Sequence, residues 1–193
     1  MPIMSRPRKR ISAAEFLRWP DDGSHQELIN GVHYVTPSPK LTHQELVGRL
    51  HLAIGNFLTT RRHLGRLFVA RLDVVLSDYD VVEPDLLFVA GDQQSILTKA
   101  NVQGAPALVI EILSPSTRRR DEGIKRKLYE ERGVREYWLV DPKKYQISVC
   151  QRAKDGSLPT VATVTAAADE HLETPLLPGF VLSISELFSE IEI

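Results

Sequence analysis

The sequence predicts a mixed α/β fold in which a mixed sheet is flanked by helices. Capping-box signals mark three helix starts, and an Asn-Gly pair inside an apolar stretch predicts a two-residue hairpin. Two short apolar runs, residues 86–89 and 107–110, have the length and composition of strands buried on both faces. The hairpins imply antiparallel members, so the sheet should be mixed rather than purely parallel.

Length and composition narrow the class of protein. The chain has 193 residues, 42% of them hydrophobic and 25% charged, which fits one globular domain and excludes wholesale disorder. The one cysteine, Cys150, excludes an internal disulfide and a cysteine-rich zinc site. No apolar run approaches the ~18 residues of a membrane span, and no secretory signal follows the basic start. We expect a cytoplasmic protein without a membrane segment, with a basic, flexible stretch at residues 1–10 and a single domain at residues 11–193.

The helices are predicted from their start signals. The capping boxes are residues 12–15, 42–45 and 183–186, and the second opens the longest helix, which ends before Gly65. A further helix is predicted from about 119 to 132, closed by Gly133. The predicted strands are the arms of a hairpin over residues 27–35, then residues 67–76, 81–89, 107–113, 136–140 and 146–151.

The charge is unevenly distributed, although the total of 24 basic and 25 acidic groups leaves a net charge of −1. Residues 1–10 and 118–135 hold half of the basic groups, and the rest of the chain carries 12 basic and 21 acidic groups. A basic band on an acidic body is compatible with a narrow DNA-facing side. A solvated amphipathic helix would show the same pattern, so both interpretations stay open.

Acidic residues interrupt two apolar strands. Glu111 lies inside a run that otherwise predicts a fully buried strand, and a buried carboxylate needs a partner or a metal. A salt bridge to an arginine of the next helix would be a structural explanation. Asp85 precedes the neighbouring run and could be a simple turn residue. Together the two acids could face one cleft, and two carboxylates with water and a phosphate oxygen suit Mg²⁺.

Several polar residues could complete such a site. Lys125 shares a helix face with Asp121 and Tyr129 and could stabilise charge at a phosphate, or could form only a surface pair with Asp121. Glu27 could add a carboxylate, and His43 could contact phosphate or cap its helix. The candidates for phosphate contact on the basic helix are Arg118, Arg119, Arg120 and Lys127.

The ordered series of these motifs resembles the Uma family of putative restriction endonucleases, a bacterial group in the PD-(D/E)xK nuclease superfamily. The resemblance spans about residues 12 to 188. The motifs that carry it are Glu27-Leu28-Ile29-Asn30-Gly31, Thr36-Pro37-Ser38-Pro39 with His43, Val82-Glu83-Pro84-Asp85-Leu86, Glu111 to Thr117, Asp121 with Lys125 and Tyr129, and Gly133 to Pro142.

The resemblance implies a restriction-endonuclease-like core with Mg²⁺ or Mn²⁺ held by Asp85 and Glu111, and with Glu27 as an accessory acid. The sequence departs from the superfamily at one position. The usual lysine lies two residues after the second acid, where this chain has Leu113. The resemblance therefore points to Lys125 on the following helix as the catalytic lysine, with Lys127 as the weaker candidate.

The leading hypothesis is a metal-dependent endonuclease that hydrolyses DNA phosphodiester bonds and works as a homodimer, because cutting both strands of a duplex needs two sites. Leu113 keeps a second hypothesis open, a catalytically silent module of the same fold that binds DNA or a protein partner. A third is a metal hydrolase acting on a small phosphate ester, which would show no salt-dependent DNA affinity.

Overall fold

The computed structural model describes residues 10–191, so the basic stretch predicted to be flexible lies, except for Arg10, outside the described residues. The helices are α1 (Ala13–Phe16), α2 (Leu41–Thr59), α3 (Arg118–Arg120), α4 (Arg126–Arg132) and α5 (Ile184–Leu187). A π-helical turn, Asp121–Lys125, joins α3 to α4 without a break. The strands are β1 (His25–Ile29), β2 (Val32–Thr36), β3 (Gly65–Val69), β4 (Val74–Ser77), β5 (Asp80–Val82), β6 (Leu86–Ala90), β7 (Val102–Gln103), β8 (Leu108–Ile112), β9 (Glu136–Asp141), β10 (Gln146–Gln151), β11 (Thr160–Thr165), β12 (His171–Leu172) and β13 (Leu182–Ser183).

The main sheet has six strands in the order β11-β10-β9-β8-β6-β3. Only β8 and β9 are parallel in it, because the α3–α4 helix crosses over between them. Every residue of β6 and β8 is buried, as their apolar runs predict. The predicted mixed sheet flanked by helices is therefore confirmed.

A second, five-stranded sheet in the order β2-β1-β5-β4-β7 corrects two predicted strands. Residues 67–76 form β3 and β4, and residues 81–89 form β5 and β6, with one strand of each pair in each sheet. The polar residues Arg71 and Asp73 interrupt the first run. Pro84 interrupts the second, because proline cannot donate a ladder hydrogen bond. At both interruptions the chain passes from one sheet to the other.

Local signals set most of the remaining elements. The hairpin turn has Asn30 and Gly31 at φ 53° and 72°, as a type I′ turn requires. Ser12 and Ser183 cap α1 and α5 by accepting a hydrogen bond from the backbone N–H of Glu15 and Glu186. The predicted start of α2 is wrong by two residues, since the capping box makes Thr42 the N-cap, whereas the N-cap is Lys40 and the helix begins at Leu41.

The core lies on both faces of the main sheet. On one face α2 packs its buried stripe Leu46, Leu50, Ile54 and Leu58 against β6 and β8. On the other face Leu128 and Tyr129 of α4 pack against Val109, Tyr137 and Leu139. No helix within residues 10–191 is long and apolar enough to cross a membrane.

Candidate active site

The two predicted acids lie next to each other on the main sheet. Strands β6 and β8 pair with Leu86 opposite Ile110, which places Asp85 at the end of β6 beside Glu111. The Ile112 backbone N–H donates to Asp85 Oδ2 at 2.8 Å and holds that carboxylate against β8. Asp85 is 7% exposed and Glu111 is 3% exposed, so both acids are buried.

Lys125 joins Glu111 to Glu27 on β1. Its Nζ lies 2.7 Å from Glu27 Oε1, 2.5 Å from Glu111 Oε1 and 3.8 Å from Asp121 Oδ1, and the residue is 1% exposed. A surface pair with Asp121 is therefore the wrong description of Lys125. Glu111 does have a cation from the following helix, but that cation is a lysine and not an arginine. We call Glu27, Glu111, Asp121, Lys125 and Tyr129 the Lys125 cluster.

The position where the superfamily has its lysine is occupied by a packed leucine, and the lysine that contacts Glu27 and Glu111 comes from the following helix. Leu113 is 4% exposed and belongs to the apolar cluster beneath the helix. Lys125 ends the π-helical turn Asp121–Lys125, a helix irregularity that is common at functional sites. Lys127, the weaker candidate, is exposed and lies 3.8 Å from Glu131, so it does not reach the cluster.

Two tyrosines, Tyr129 of the Lys125 cluster and Tyr137 of β9, donate hydrogen bonds to other residues of the cluster. The Tyr129 hydroxyl donates to Glu111 Oε1 at 3.0 Å, the same oxygen that Lys125 contacts. The Tyr137 hydroxyl donates to the Asp121 carbonyl oxygen at 3.2 Å, and its ring packs edge-on to that of Tyr129. Tyr137 is a residue whose role the sequence did not predict, because its strand shows only an apolar run.

Some of the residues predicted to contact phosphate point toward the candidate active site, and others point away from it. His43 Nε2 lies 3.1 Å from Asp85 Oδ2, so His43 faces the site instead of capping α2. Arg120 also points inward: its Nε lies 3.4 Å from Glu27 Oε2, and a second nitrogen donates to Thr36. Arg118 is half-buried and pairs with the buried Asp141 and the exposed Glu122, and Arg119 is exposed.

Burial and the attraction between opposite charges shift the pKa values of Glu27, Glu111 and Lys125 in opposite directions. Burial raises the pKa of Glu111 well above its usual range, against the attraction of Lys125 and with repulsion from Asp121, Asp85 and Glu27. Burial alone would also raise the pKa of Glu27, but Lys125, His25 and Arg120 outweigh it and lower that pKa. Burial disfavours the ammonium of Lys125, yet Glu111, Glu27 and Asp121 hold its pKa well above normal. Lys125 therefore stays charged and Glu27 stays ionised.

His25 and Glu83 extend the site and were missed by the sequence reasoning. His25 Nε2 lies 2.8 Å from the Glu83 carbonyl oxygen and 3.4 Å from Glu83 Oε2. The Glu83 backbone N–H donates to Glu27 Oε1 at 3.3 Å. Burial, followed by the charge of Asp73, raises the pKa of Glu83 to about 7. Both residues had a signal in the sequence, since His25 shares a strand face with Glu27 and Glu83 lies two residues before Asp85.

The donor set fits a hard divalent cation. Asp85 accepts the hydrogen bond from Ile112 through Oδ2, and Glu111 accepts the hydrogen bond from Tyr129 through Oε1. Asp85 Oδ1 and Glu111 Oε2 are therefore the oxygens that could bind a metal ion. Within residues 10–191 no group of three or more His, Cys, Asp or Glu side chains is arranged around a metal position. Mg²⁺ needs only one or two carboxylates because water and phosphate oxygens complete its shell.

Known proteins share this sequence pattern and fold. The family model described as Uma2, putative restriction endonuclease, matches residues 13–185. A crystal structure titled as a putative nuclease belonging to DUF820, from Anabaena variabilis, is 23% identical and covers 93% of this chain and 98% of its own, with a TM-score of 0.76. No curated protein matches the chain. The likeness confirms the restriction-endonuclease-like fold, and the chain belongs to the Uma2 family of putative restriction endonucleases.

Proposed function

We propose that this protein is a metal-dependent endonuclease that hydrolyses DNA phosphodiester bonds. The observation that carries the proposal is an excess of carboxyl groups over basic groups in one buried place. Among the described residues, four carboxyl groups, Glu27, Asp85, Glu111 and Asp121, meet two permanent cations, Lys125 and Arg120, and the crowding helps to raise the pKa of Glu111. A divalent cation would compensate that excess, and Mg²⁺ or Mn²⁺ matches the oxygen donors.

The chain's own residues take distinct parts in this proposal. Asp85 and Glu111 would hold the metal, which supplies a Lewis acid and lowers the pKa of a bound water. Lys125 presents a fixed ammonium beside Glu111 and would stabilise negative charge developing on the phosphate. Glu27, as accessory acid, holds the ammonium in place from the other side. Tyr129 orients Glu111 by donating to the oxygen that Lys125 contacts.

DNA is the proposed partner because basic groups flank the cluster. Arg119 and Lys127 are exposed on the helix that carries Lys125, and His43 and Arg120 lie at the cluster itself. Exposed basic side chains would bind phosphates outside the site, and the inward pair would meet the scissile region. Two strands must be cut in a duplex, so we propose a homodimer, which light scattering of the purified protein would detect.

A plasmid-nicking assay with Mg²⁺ or Mn²⁺ tests the proposal. Glu111→Ala removes a metal ligand, and Asp85→Asn keeps an oxygen acceptor for the Ile112 amide but removes the charge. Both should abolish nicking while circular dichroism stays unchanged. Glu131→Ala is the matched control, because it removes a carboxylate from the exposed face of the same helix region. Undiminished metal-dependent nicking by both site variants would contradict the assignment.

A silent module that binds DNA or a protein is the second candidate. The burial of the Lys125 cluster favours this function, since Lys125 is 1% exposed and Glu111 is 3% exposed. Isothermal titration with Mg²⁺ or Mn²⁺ in the presence of DNA separates the two functions. Metal binding that disappears in Glu111→Ala supports the nuclease, and no metal binding in the wild type supports the silent module.

A further inference from the structure

A cavity of about 390 Å³ lies beside the candidate active site, where the segment after α1, β1 and the segments entering β4 and β6 meet. Its walls include the apolar side chains Phe16 and Trp19 and the charged side chains Arg71, Asp73 and Glu83. The volume is in the range of small-molecule sites, about 300–1,000 Å³. Glu27, Asp85 and Lys125 do not line it, so it is separate from the Lys125 cluster. We call it the Trp19 pocket.

Aromatic rings form one side of the Trp19 pocket. The Trp19 ring packs edge-on against Phe16 at 5.3 Å between centroids and against His33 at 5.0 Å. These contacts hold the indole in place although it remains 38% exposed. An exposed indole held by its neighbours offers an electron-rich surface to a cation.

Acidic side chains form another part of the wall. Glu83 is 8% exposed, and its Oε2 is a buried atom that has no hydrogen-bond partner among the described residues, with His25 Nε2 at 3.4 Å. Asp73 is half-buried beside it. Arg71 is bound to Asp21 at the rim, so that pair is neutral as a unit. The described wall of the cavity therefore carries three acidic side chains, Asp21, Asp73 and Glu83, and one basic side chain, Arg71, which leaves an excess of acidic groups.

We propose that the Trp19 pocket binds a small organic cation that carries a primary ammonium or guanidinium group. Such a group would pair with the carboxyl groups of Glu83 and Asp73, and its alkyl part would pack against Trp19 and Phe16. A nucleotide fits less well because its phosphate would be repelled by both acids. A bare metal ion fits less well because aromatic rings form part of the wall.

The pocket and the candidate active site share one peptide segment. The Glu83 backbone N–H donates to Glu27 Oε1, and Asp85 follows two residues later. The proposed cation site nevertheless stands independently of the nuclease proposal, since neither Trp19 nor Asp73 contacts the Lys125 cluster in the described structure. Its test therefore measures binding and not cleavage.

Tryptophan fluorescence provides the binding signal. The chain has two tryptophans, and Trp138 is fully buried in the core, so a ligand in the pocket changes the emission of Trp19. Butylguanidinium is titrated at low salt, at a pH above the Glu83 pKa of about 7, against butylurea, which has the same shape without the charge. We expect saturable binding of butylguanidinium at least about tenfold tighter than that of butylurea, as a desolvated cation–π and ion-pair contact implies.

Variants locate the binding in the pocket. Glu83→Gln and Asp73→Asn should each weaken butylguanidinium binding about tenfold, measured by calorimetry, since each removes one charged acceptor. Asp73→Asn serves as the independent variant if Glu83→Gln folds poorly. Asp92→Asn, which removes an exposed carboxylate bound to Arg135 outside the pocket, should bind like the wild type. Equal affinity for butylurea, unchanged binding in both acid variants, or preferential binding of a nucleoside monophosphate would overturn the proposal.

Discussion

Two buried glutamates on adjacent parallel strands, Glu111 on β8 and Glu136 on β9, have opposite surroundings. Both Glu136 oxygens are used by neutral donors: Oε1 accepts from Trp138 Nε1 at 2.5 Å, and Oε2 accepts from Gln151 at 3.2 Å and Thr174 at 2.9 Å. Glu111 has an ammonium and a hydroxyl on Oε1 alone and three further carboxylates nearby.

The difference shows that a buried acid in an apolar strand does not by itself indicate a function. Burial raises the pKa of both glutamates, but at Glu136 three hydrogen bonds offset part of the effect and provide partners for both carboxyl oxygens. At Glu111 the neighbours add negative charge, which a structural site would avoid. Accumulated charge, and not burial, distinguishes the candidate active site.

The largest effect should come from Lys125→Met, which keeps the side-chain volume and removes the charge. Glu27 and Glu111 would then lose their shared cation while buried, at a cost of about 3–5 kcal/mol in the free energy of unfolding. Urea denaturation measures it. A loss below about 1 kcal/mol would mean that the cluster relaxes by taking up protons or water. The charge around Glu111 would then differ less in its effect on stability from the neutral surroundings of Glu136.

Glu136→Ala tests the structural side of the comparison. It leaves the Trp138, Gln151 and Thr174 donors without their acceptor, so we expect a loss of about 1–3 kcal/mol in the free energy of unfolding. Metal-dependent nicking under conditions where the protein is folded should stay at the wild-type level. A large drop in nicking by folded Glu136→Ala would place this glutamate in the active site as well.

Glu83 is another buried glutamate, and its contribution to the free energy of unfolding depends on pH. Its pKa of about 7 in the folded protein lies above the usual value of 4.5, so the fold favours the protonated form. The free energy of unfolding of the wild type should therefore fall between pH 4.5 and 7 relative to Glu83→Gln, by roughly 1–2 kcal/mol after solvent screening. Denaturation across this pH range measures it, with Glu131→Gln as the exposed control. Parallel curves for the wild type and Glu83→Gln would show that Glu83 is ionised in the fold.

The smallest effect should come from Tyr129→Phe, which removes one of the two donors to Glu111 Oε1. We expect a loss of about 1 kcal/mol in stability and a smaller loss of nicking than in Glu111→Ala. Phe replaces the ring without the hydroxyl, so the contact with Tyr137 is kept. Nicking as low as in Glu111→Ala would show that Tyr129 does more than orient the glutamate.

The sequence could predict the site residues that lie within recognisable motifs. Asp85, Glu111 and Lys125 were predicted as one site, and the structure brings them together, although their metal and catalytic roles remain predictions. Which arginine of the run 118–120 points inward could not be predicted, because each lies within one helical turn and a small rotation decides the direction. The π-helical turn at Asp121–Lys125 makes that rotation irregular.

The sequence by itself determined the elements whose energetics are local: the Asn30-Gly31 turn, the serine caps of α1 and α5, and the apolar strands β6 and β8. Only the tertiary structure decided that two predicted strands are divided between two sheets. It also decided that Glu27 and Lys125, 98 residues apart, form one ion pair. Sheet register and the packing of the helix on the sheet set such contacts, and no local propensity encodes them.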